Sequence, residues 1–312
     1  KIYDAIVIVT PADFKRVECN NQRIVEYLPV RKVLFVGSEE LKELVGQSNL
    51  GDKAGFVNEN DIIPFDEVYN CMKDVMADIL LGRELPRGLV GWDYQQFLKM
   101  KYSALCDDEY YMSWDGDTVP CKDFSMFDSE GRPYFDMKYE YHEEYFITME
   151  TILPSVKKIV DKSFISEHMI FNRNYMNELI SEIESNENIK GTTFWEKILN
   201  SIRLKHIQEN SFSEFETYGT YMMTKHPEVY AYRNWHSFRY GGYYFHPEQM
   251  TEHDYEWMGR DFYAISFEKF HTVREDHENL FNNPRYQDKL TARQMVEIMQ
   301  EESEGYNEVW DD

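Results

Sequence analysis

Tyr110-Tyr111-Met112-Ser113-Trp114-Asp115-Gly116-Asp117-Thr118-Val119-Pro120 is the stretch on which both the fold and the chemistry turn. Its first half alternates apolar and polar residues in the manner of a strand, and it then breaks into an Asp-Gly-Asp turn closed by a proline. In a sheet covered by helices, ligands sit at the carboxyl ends of the strands. Two carboxylates at such an end, separated by a glycine that lets the backbone turn sharply, can both face a single divalent cation. Hard oxygen ligands suit Mg²⁺ or Mn²⁺, and these in turn hold a diphosphate. The stretch is therefore a candidate metal–nucleotide site. Asp-Gly-Asp is also an ordinary turn, in which Asp caps its own backbone and Gly takes positive φ at little cost. The surroundings have to decide between the two.

Upstream, Ala5-Ile6-Val7-Ile8-Val9 is a continuous β-branched run, as a strand buried on both faces requires, and it stops at Thr10-Pro11. Thr10 as cap and Pro11 in the first turn start a helix that the spacing carries to about Leu28. Lys32-Val33-Leu34-Phe35-Val36 repeats the strand pattern, and Gly37-Ser38 opens a second helix through Val45. Gly55-Phe56-Val57-Asn58 is a third, shorter strand, followed by the acidic turn Glu59-Asn60-Asp61. Helices are expected over Asp66–Leu81 and Trp92–Leu105. Strands alternating with helices at this interval mean parallel βαβ units and a doubly wound α/β sheet. The second of these helices feeds into the Asp115 strand, so its polar side, Gln95, Gln96 and Lys99, is expected either to look into the same cleft or to form a solvated face.

Downstream, the segment from Pro120 through Met137 reads as a β-hairpin, with turn signals at Asp128-Ser129-Glu130-Gly131 and Arg132-Pro133. Helical periodicity then covers Glu143–Leu153, Glu167–Glu184, Thr193–Ile202, Ser213–Thr224 and Thr291–Glu302. Tyr230–Arg239 and Asp261–Phe267 are aromatic-rich strand candidates. An acidic tail closes the chain and is expected to fray. The division that follows is residues 1–137 as a nucleotide-binding α/β half and residues 138–312 as a mostly helical half packed on the same sheet.

The 312 residues are 42% hydrophobic and 16% aromatic, which specifies a packed globule. A formal charge of −24 argues against nucleic acid as a partner and disfavours anionic lipid, since phosphate surfaces are bound by clustered Lys and Arg. Cys19, Cys71, Cys106 and Cys121 have neither zinc-site nor disulfide-framework spacing, so reduced thiols in a cytoplasmic protein fit best. No apolar run reaches the roughly eighteen residues of a membrane span, and the opening residues read as a strand rather than a signal peptide. A membrane pathway would be served from the water side, by peripheral association.

The P-loop, the dinucleotide fingerprint, H-E-x-x-H and G-x-S-x-G are all missing. Ser213-Glu214-Phe215-Glu216-Thr217-Tyr218-Gly219 offers the best acid–base candidates. Ser213 and Glu216 have capping-box spacing, which gives Glu216 a local duty. Glu214, in the first helical turn, is held as an anion by the helix dipole and is suited to accept a hydroxyl proton. Arg233-Asn234-Trp235-His236-Ser237-Phe238-Arg239 mixes donors with one metal-ligating residue type, His236. A histidine packed among aromatics is the plainer reading there. His226, His246, His253, His271 and His277 show no ligand spacing.

With Thr10-Pro11 ending the first strand, Gln95-Gln96-x-x-Lys99 on a helix, Trp114-Asp115-Gly116-Asp117 and Ser213-Glu214-x-Glu216-x-Tyr218-Gly219 in this order, the chain resembles the GT-A-fold glycosyltransferases. It looks closest to a bacterial family found with surface-polysaccharide genes, over roughly Tyr3 to Phe245 and most weakly between Tyr139 and Asn200. The resemblance implies a GT-A, Rossmann-like, mostly parallel sheet flanked by helices. It implies that Thr10, Pro11 and Asn58, Glu59 and Asn60 hold the nucleoside, with Gln95, Gln96, Lys99 and Trp114 beside the donor. Asp115 would contact the ribose or the metal, Asp117 would bind Mn²⁺ or Mg²⁺, Glu214 or Glu216 would serve as acceptor base, and His236 would match the late histidine of some members. A UDP-sugar is the favoured donor, although Ser38 and Glu39 stand where a uracil-reading carboxylate is expected.

These expectations describe a metal-dependent transferase moving a sugar from a nucleotide donor to a glycan or lipid-linked acceptor. Two rivals stand beside it: a sugar nucleotidyltransferase, which needs a glycine-rich basic loop that Thr10-Pro11-Ala12-Asp13-Phe14 does not supply, and a non-catalytic acidic carbohydrate- or Ca²⁺-binding module.

Overall fold

A computed structural model describes residues 1–275 and 280–302; His277 and the acidic tail lie outside the described residues. The strands, in chain order, are β1 (Asp4–Ile8), β2 (Val33–Gly37), β3 (Ala54–Asn58), β4 (Tyr110–Trp114), β5 (Thr118–Pro120), β6 (Tyr134–Met137), β7 (His168–Asn172), β8 (Ala231–Asn234), β9 (Ser237–Phe238) and β10 (Ala264–Ser266).

The β-branched run of the first strand lies where its composition demands, at the centre of a five-stranded sheet ordered β3-β2-β1-β4-β7. Ala5, Ile6 and Val7 are fully buried, and each Val or Ile removed from water contributes about 1.5–3 kcal/mol. β1 pairs in parallel with β2 and β4, β2 pairs in parallel with β3, and β7 is antiparallel to β4. The chain leaves β1 to build β2 and β3 on one side, then returns to place β4 on the other. Such a reversal opens a crevice at the carboxyl ends of the two strands it separates. Thr10 follows β1 there, and Asp115 follows β4.

Several expectations give way to longer-range packing. The helix expected after Thr10 is two, Pro11–Arg16 and Glu18–Tyr27, broken at Val17. The helix before β4 begins earlier than its periodicity indicates and runs Arg87–Lys101. The helix expected over Glu167–Glu184 begins as β7 and becomes helical only at Arg173. All five residues of β7 are buried, and a short apolar run of this kind has no periodicity to separate strand from helix. The hairpin expected after Pro120 shrinks to a tight antiparallel turn, in which the Asp128 amide donates to the Arg132 carbonyl and the Tyr134 amide to the Met126 carbonyl, both at 2.9 Å. β5 instead pairs antiparallel with β10 and β6 pairs in parallel with β8, partners about a hundred residues or more away, leaving only an isolated Phe127–Pro133 bridge.

The β6–β8 ribbon sets Asp136 opposite Arg233. Arg233 grips both Asp136 carboxylate oxygens at 2.6 and 2.9 Å, and His168 Nε2 meets the same carboxylate at 2.7 Å, which fastens the ribbon to β7. A second core around Trp257, Phe238, Phe281 and Val296 packs beneath β5, β10 and β9. Among the described residues no helix is long and apolar enough to cross a membrane.

Candidate functional site

At the carboxyl ends of β1 and β4 opens a cleft of about 820 Å³. Its wall includes Thr10, Glu59, Gln95, Lys99, Asp115, Gly116, Asp117 and Glu214, so residues scattered over two hundred positions converge on one hollow.

The Asp-Gly-Asp turn is held from three sides. The Asp115 amide donates to the Glu167 carbonyl at 2.9 Å, the Phe267 amide donates to the Asp117 carbonyl at 2.9 Å, and the Thr118 and Ser266 hydroxyls bond at 2.8 Å. Gly116 is not in the left-handed region expected of a turn glycine. Its role is close approach: a Cβ there would stand 3.2 Å from a Val7 methyl and 3.6 Å from Val9, so the turn lies flat against the end of β1.

Lys99, on the helix that packs beside β4, is almost fully buried between two carboxylates, 2.9 Å from Glu214 Oε1 and 3.4 Å from Asp115 Oδ1. Burial works against its charge, but Glu214 and Asp115 outweigh that and raise its pKa. Gln96, expected on the cleft, is instead buried behind it and accepts the Glu214 amide at 3.0 Å. It caps the helix Glu214–Lys225 from outside and aims Glu214.

The acids of the wall crowd one another. Burial, then Asp115 and Glu268, push the Asp117 carboxyl up to about 7, against the pull of Arg16. Asp115 is raised by burial, with Lys99 opposing and Glu214 and Glu167 adding to it, and Glu268 is raised by burial with Asp115 among its neighbours. Glu167 goes the other way: burial opposes its charge, yet Lys138, Arg239 and the Ser237 hydroxyl bring it down to about 2. Lys138 Nζ at 3.1 Å, Ser237 Oγ at 2.5 Å and Trp235 Nε1 at 3.0 Å occupy that carboxylate. Eight carboxylates and five Lys or Arg side chains line the cleft, which leaves an excess of negative charge that a divalent cation would neutralise.

Two hard carboxylates at the mouth of a cleft fit Mg²⁺ or Mn²⁺, which take one or two protein carboxylates and complete their shell with water and phosphate oxygens. Among the described residues no three His, Cys, Asp or Glu side chains form a ready metal-binding group. His236 does not join Asp115 and Asp117: it sits between β8 and β9, its carbonyl accepting the Tyr263 amide at 2.7 Å and its Nδ1 3.4 Å from the Arg293 guanidinium. The stacking of buried Trp235 on Tyr263, with ring centroids 4.6 Å apart, fixes the backbone there.

Other expected site residues have local duties. Trp114 is buried, donates to the Thr118 carbonyl at 2.7 Å and stacks on His168, so it supports the turn from behind. Glu216 is buried away from the cleft and closes no capping box; its carboxylate accepts the Ser163 hydroxyl at 2.7 Å and the Phe164 amide at 2.8 Å, pinning a loop. Gly219 completes that contact, since a Cβ there would meet the Phe164 ring at 2.3 Å. Asn58 accepts the Asn60 amide and Asn60 accepts the Phe65 amide, both at 2.9 Å, so of the Asn58–Asn60 turn only Glu59 lines the cleft. Thr10 lines it while capping the helix Pro11–Arg16; Pro11 starts that helix and is not part of the wall.

Arg16, Arg87, Glu140, Glu167, Arg239 and Glu268 line the cleft without any signal of their own in the sequence. Arg239 stands in the donor-rich segment read for His236, and only its 2.8 Å pair with Glu140 reveals which residue of that segment reaches the hollow.

No curated protein matches the sequence. Solved structures with some similarity include mouse xyloside xylosyltransferase 1, at 11% identity over 88% of this chain and 100% of that one, with a TM-score of 0.46. The WbbM bifunctional glycosyltransferase is 11% identical over 97% of this chain and 52% of its own, with a TM-score of 0.43. The galactosyltransferase LgtC is 11% identical over 92% and 100%, with a TM-score of 0.42. Residues 34–283 match the model of the family of unknown function DUF6492, and the chain belongs to that family.

Proposed function

We propose that this protein is a metal-dependent glycosyltransferase that moves a sugar from a nucleotide-sugar donor, a UDP-sugar in first place, to a hydroxyl of a glycan or lipid-linked acceptor in surface-polysaccharide synthesis. It would work in the cytoplasm and reach a lipid-linked acceptor peripherally. The observation that carries the reading is the crowding of Asp115, Asp117 and Glu268 at the point where the sheet reverses, in a cleft with more acids than bases. Anionic phosphates do not enter such a cleft alone, whereas a cation and a diphosphate enter it together.

In this reading Asp117 and Asp115 hold Mn²⁺ or Mg²⁺, which when bound neutralises charge on the departing diphosphate. Thr10, Glu59 and Gln95 flank the nucleoside. Lys99 keeps Asp115 and Glu214 in fixed positions, and Glu214 receives the proton of the incoming hydroxyl. Residues 1–137 supply the donor side and residues 138–312 the acceptor side.

The test is calorimetric titration of UDP, GDP, ADP and CDP with and without Mn²⁺. The reading expects at least one nucleoside diphosphate to bind more tightly with metal, and that gain to vanish in Asp117→Ala with the melting temperature retained. If none binds more tightly with metal, the proposal fails.

A further inference from the structure

A second hollow, of about 580 Å³, lies on the β6–β8 ribbon and shares no lining residue with the first. The parallel register puts Phe135 beside Tyr232 and Met137 beside Asn234. Met137, Tyr232 and Asn234 belong to the floor, while residues 159–162 and Met223 form the sides. Tyr232 and Asn234 are exposed, whereas the alternate residues Asp136 and Arg233 bond to each other and through His168 to β7. The floor is thus rigid. The Tyr232 hydroxyl is tied to Met223 and the Asn234 amide oxygen to Lys162, which sets the ring and the amide in place.

This lining matches the two sides of a sugar ring. A pyranose offers an apolar face, which stacks on an exposed tyrosine or lies against methionine, and a belt of hydroxyls, which bonds to planar amides, carboxylates and ammonium groups. Met137, Met223 and Tyr232 supply the first; Asn234, Asp161 and Lys162 supply the second. The volume lies within the range of small-ligand sites. Asp161 offsets Lys162 in the lining, and Arg233, which also lines the hollow, is held by the Asp136 carboxylate, so the hollow is near charge balance and suits a neutral glycan.

Two segments that bridge antiparallel at Lys138 and Ser163 each contribute to both hollows. Lys138 and Ser163 pair through backbone hydrogen bonds of 2.9 and 2.7 Å. Met137 and Lys162 line the second hollow, and Glu140 and Ile165, each three positions further along its own segment, line the first. Three residues reach at most about 10 Å, so the two linings approach within a span that a few linked sugar units bridge.

We infer that the hollow over Tyr232 and Asn234 is a distal subsite for a neutral oligosaccharide, which holds an acceptor chain while its end lies in the Asp115–Asp117 cleft. The role as acceptor subsite rests on the transferase reading; the sugar-binding chemistry does not.

The experiment is a glycan array of neutral and acidic oligosaccharides probed with the fluorescently labelled full chain, together with its Tyr232→Ala, Asn234→Ala and Asp117→Asn variants, each checked for an unchanged melting temperature. The expected result is binding to neutral oligosaccharides in preference to single sugars, weakened about tenfold by Tyr232→Ala and by Asn234→Ala, and retained in Asp117→Asn. Tyr232→Phe, which keeps the stacking face, is expected to retain most of the binding. Absence of binding, preference for acidic glycans, or loss in Asp117→Asn but not in the other two overturns the subsite. Glycan binding through Tyr232 without metal-dependent nucleotide binding removes the transferase reading and leaves the subsite standing. Metal-dependent nucleotide binding with glycan affinity indifferent to Tyr232 does the reverse.

Discussion

Lys99 Nζ stands 2.9 Å from Glu214 Oε1, joining a helix that precedes β4 to a helix more than a hundred residues later, with both side chains almost fully buried. Removing one member of such a pair leaves an uncompensated charge in a low dielectric. Lys99→Met is expected to destabilise the protein by about 3–5 kcal/mol in urea denaturation. Adding Glu214→Gln to that variant is expected to recover part of the loss; no recovery would mean that the two are not coupled.

The two glutamates of the same helix turn separate by readout. Glu214→Gln is expected to keep nucleotide binding and to slow transfer by about 10²–10⁴-fold, the range of a lost general base. Glu216→Gln weakens the bonds to Ser163 and Phe164 and is expected to lower stability by about 1–3 kcal/mol with transfer by the folded fraction intact. Slow transfer in Glu216→Gln at unchanged melting temperature would reverse the assignment.

Under the proposed metal site, Asp117 would make cation affinity and stability depend on pH in opposite senses. Its carboxyl titrates near 7 in the folded protein against an ordinary value of 3.8, so between those values the fold holds a proton that the unfolded chain has released. Stability contributed by that proton is present at the acidic end of this window and is lost as pH rises through 7. Without metal, wild type is expected to lose more melting temperature than Asp117→Asn between pH 5 and pH 8. Mn²⁺ bound as proposed would displace the proton, so its affinity is expected to rise about tenfold per pH unit up to 7 and then level off. Identical slopes in wild type and Asp117→Asn would refute this account.

His236→Ala is expected to leave Mn²⁺ affinity unchanged, because the ring lies beside Arg293 and outside the cleft wall. A tenfold loss in calorimetry would return it to the metal site.

Gly219→Ala is expected to cost about 1–3 kcal/mol through overpacking against the Phe164 ring. Gly219→Ala with Phe164→Leu should recover part of that cost, a cycle that thermal denaturation reads directly.

What could be read from the residue order was local. The β-branched runs of β1 and β2, the turn after β4 and the Ser213 cap all announce themselves within a few positions, and from them follow the parallel sheet and the Asp115–Asp117 pair. Distinguishing Glu214 from Glu216 needed only the observation that one has a duty nearby, although that duty turned out to be the Ser163–Phe164 loop rather than the helix's own amides. The rest lies in pairings between distant segments. β7 has no period to betray it, β6 finds a parallel partner nearly a hundred residues away, and Glu167 becomes a strong acid only because Lys138 and Arg239 meet it in space. Gln96 and Lys99 share one helix and one polar character, and only the packing of the helix Glu214–Lys225 decides that the first supports and the second faces the hollow.

The pairing of β5 with β10 bears on how the molecule is made. The central sheet is complete once β7 has been synthesised, yet the strand that braces Asp117 comes nearly a hundred residues after it, with Thr118 and Ser266 148 positions apart. A nascent chain arrested before Ala264 would hold every strand of the central sheet but lack the Thr118–Ser266 and Phe267–Asp117 bonds, so the Asp-Gly-Asp turn gains its second brace only late in synthesis.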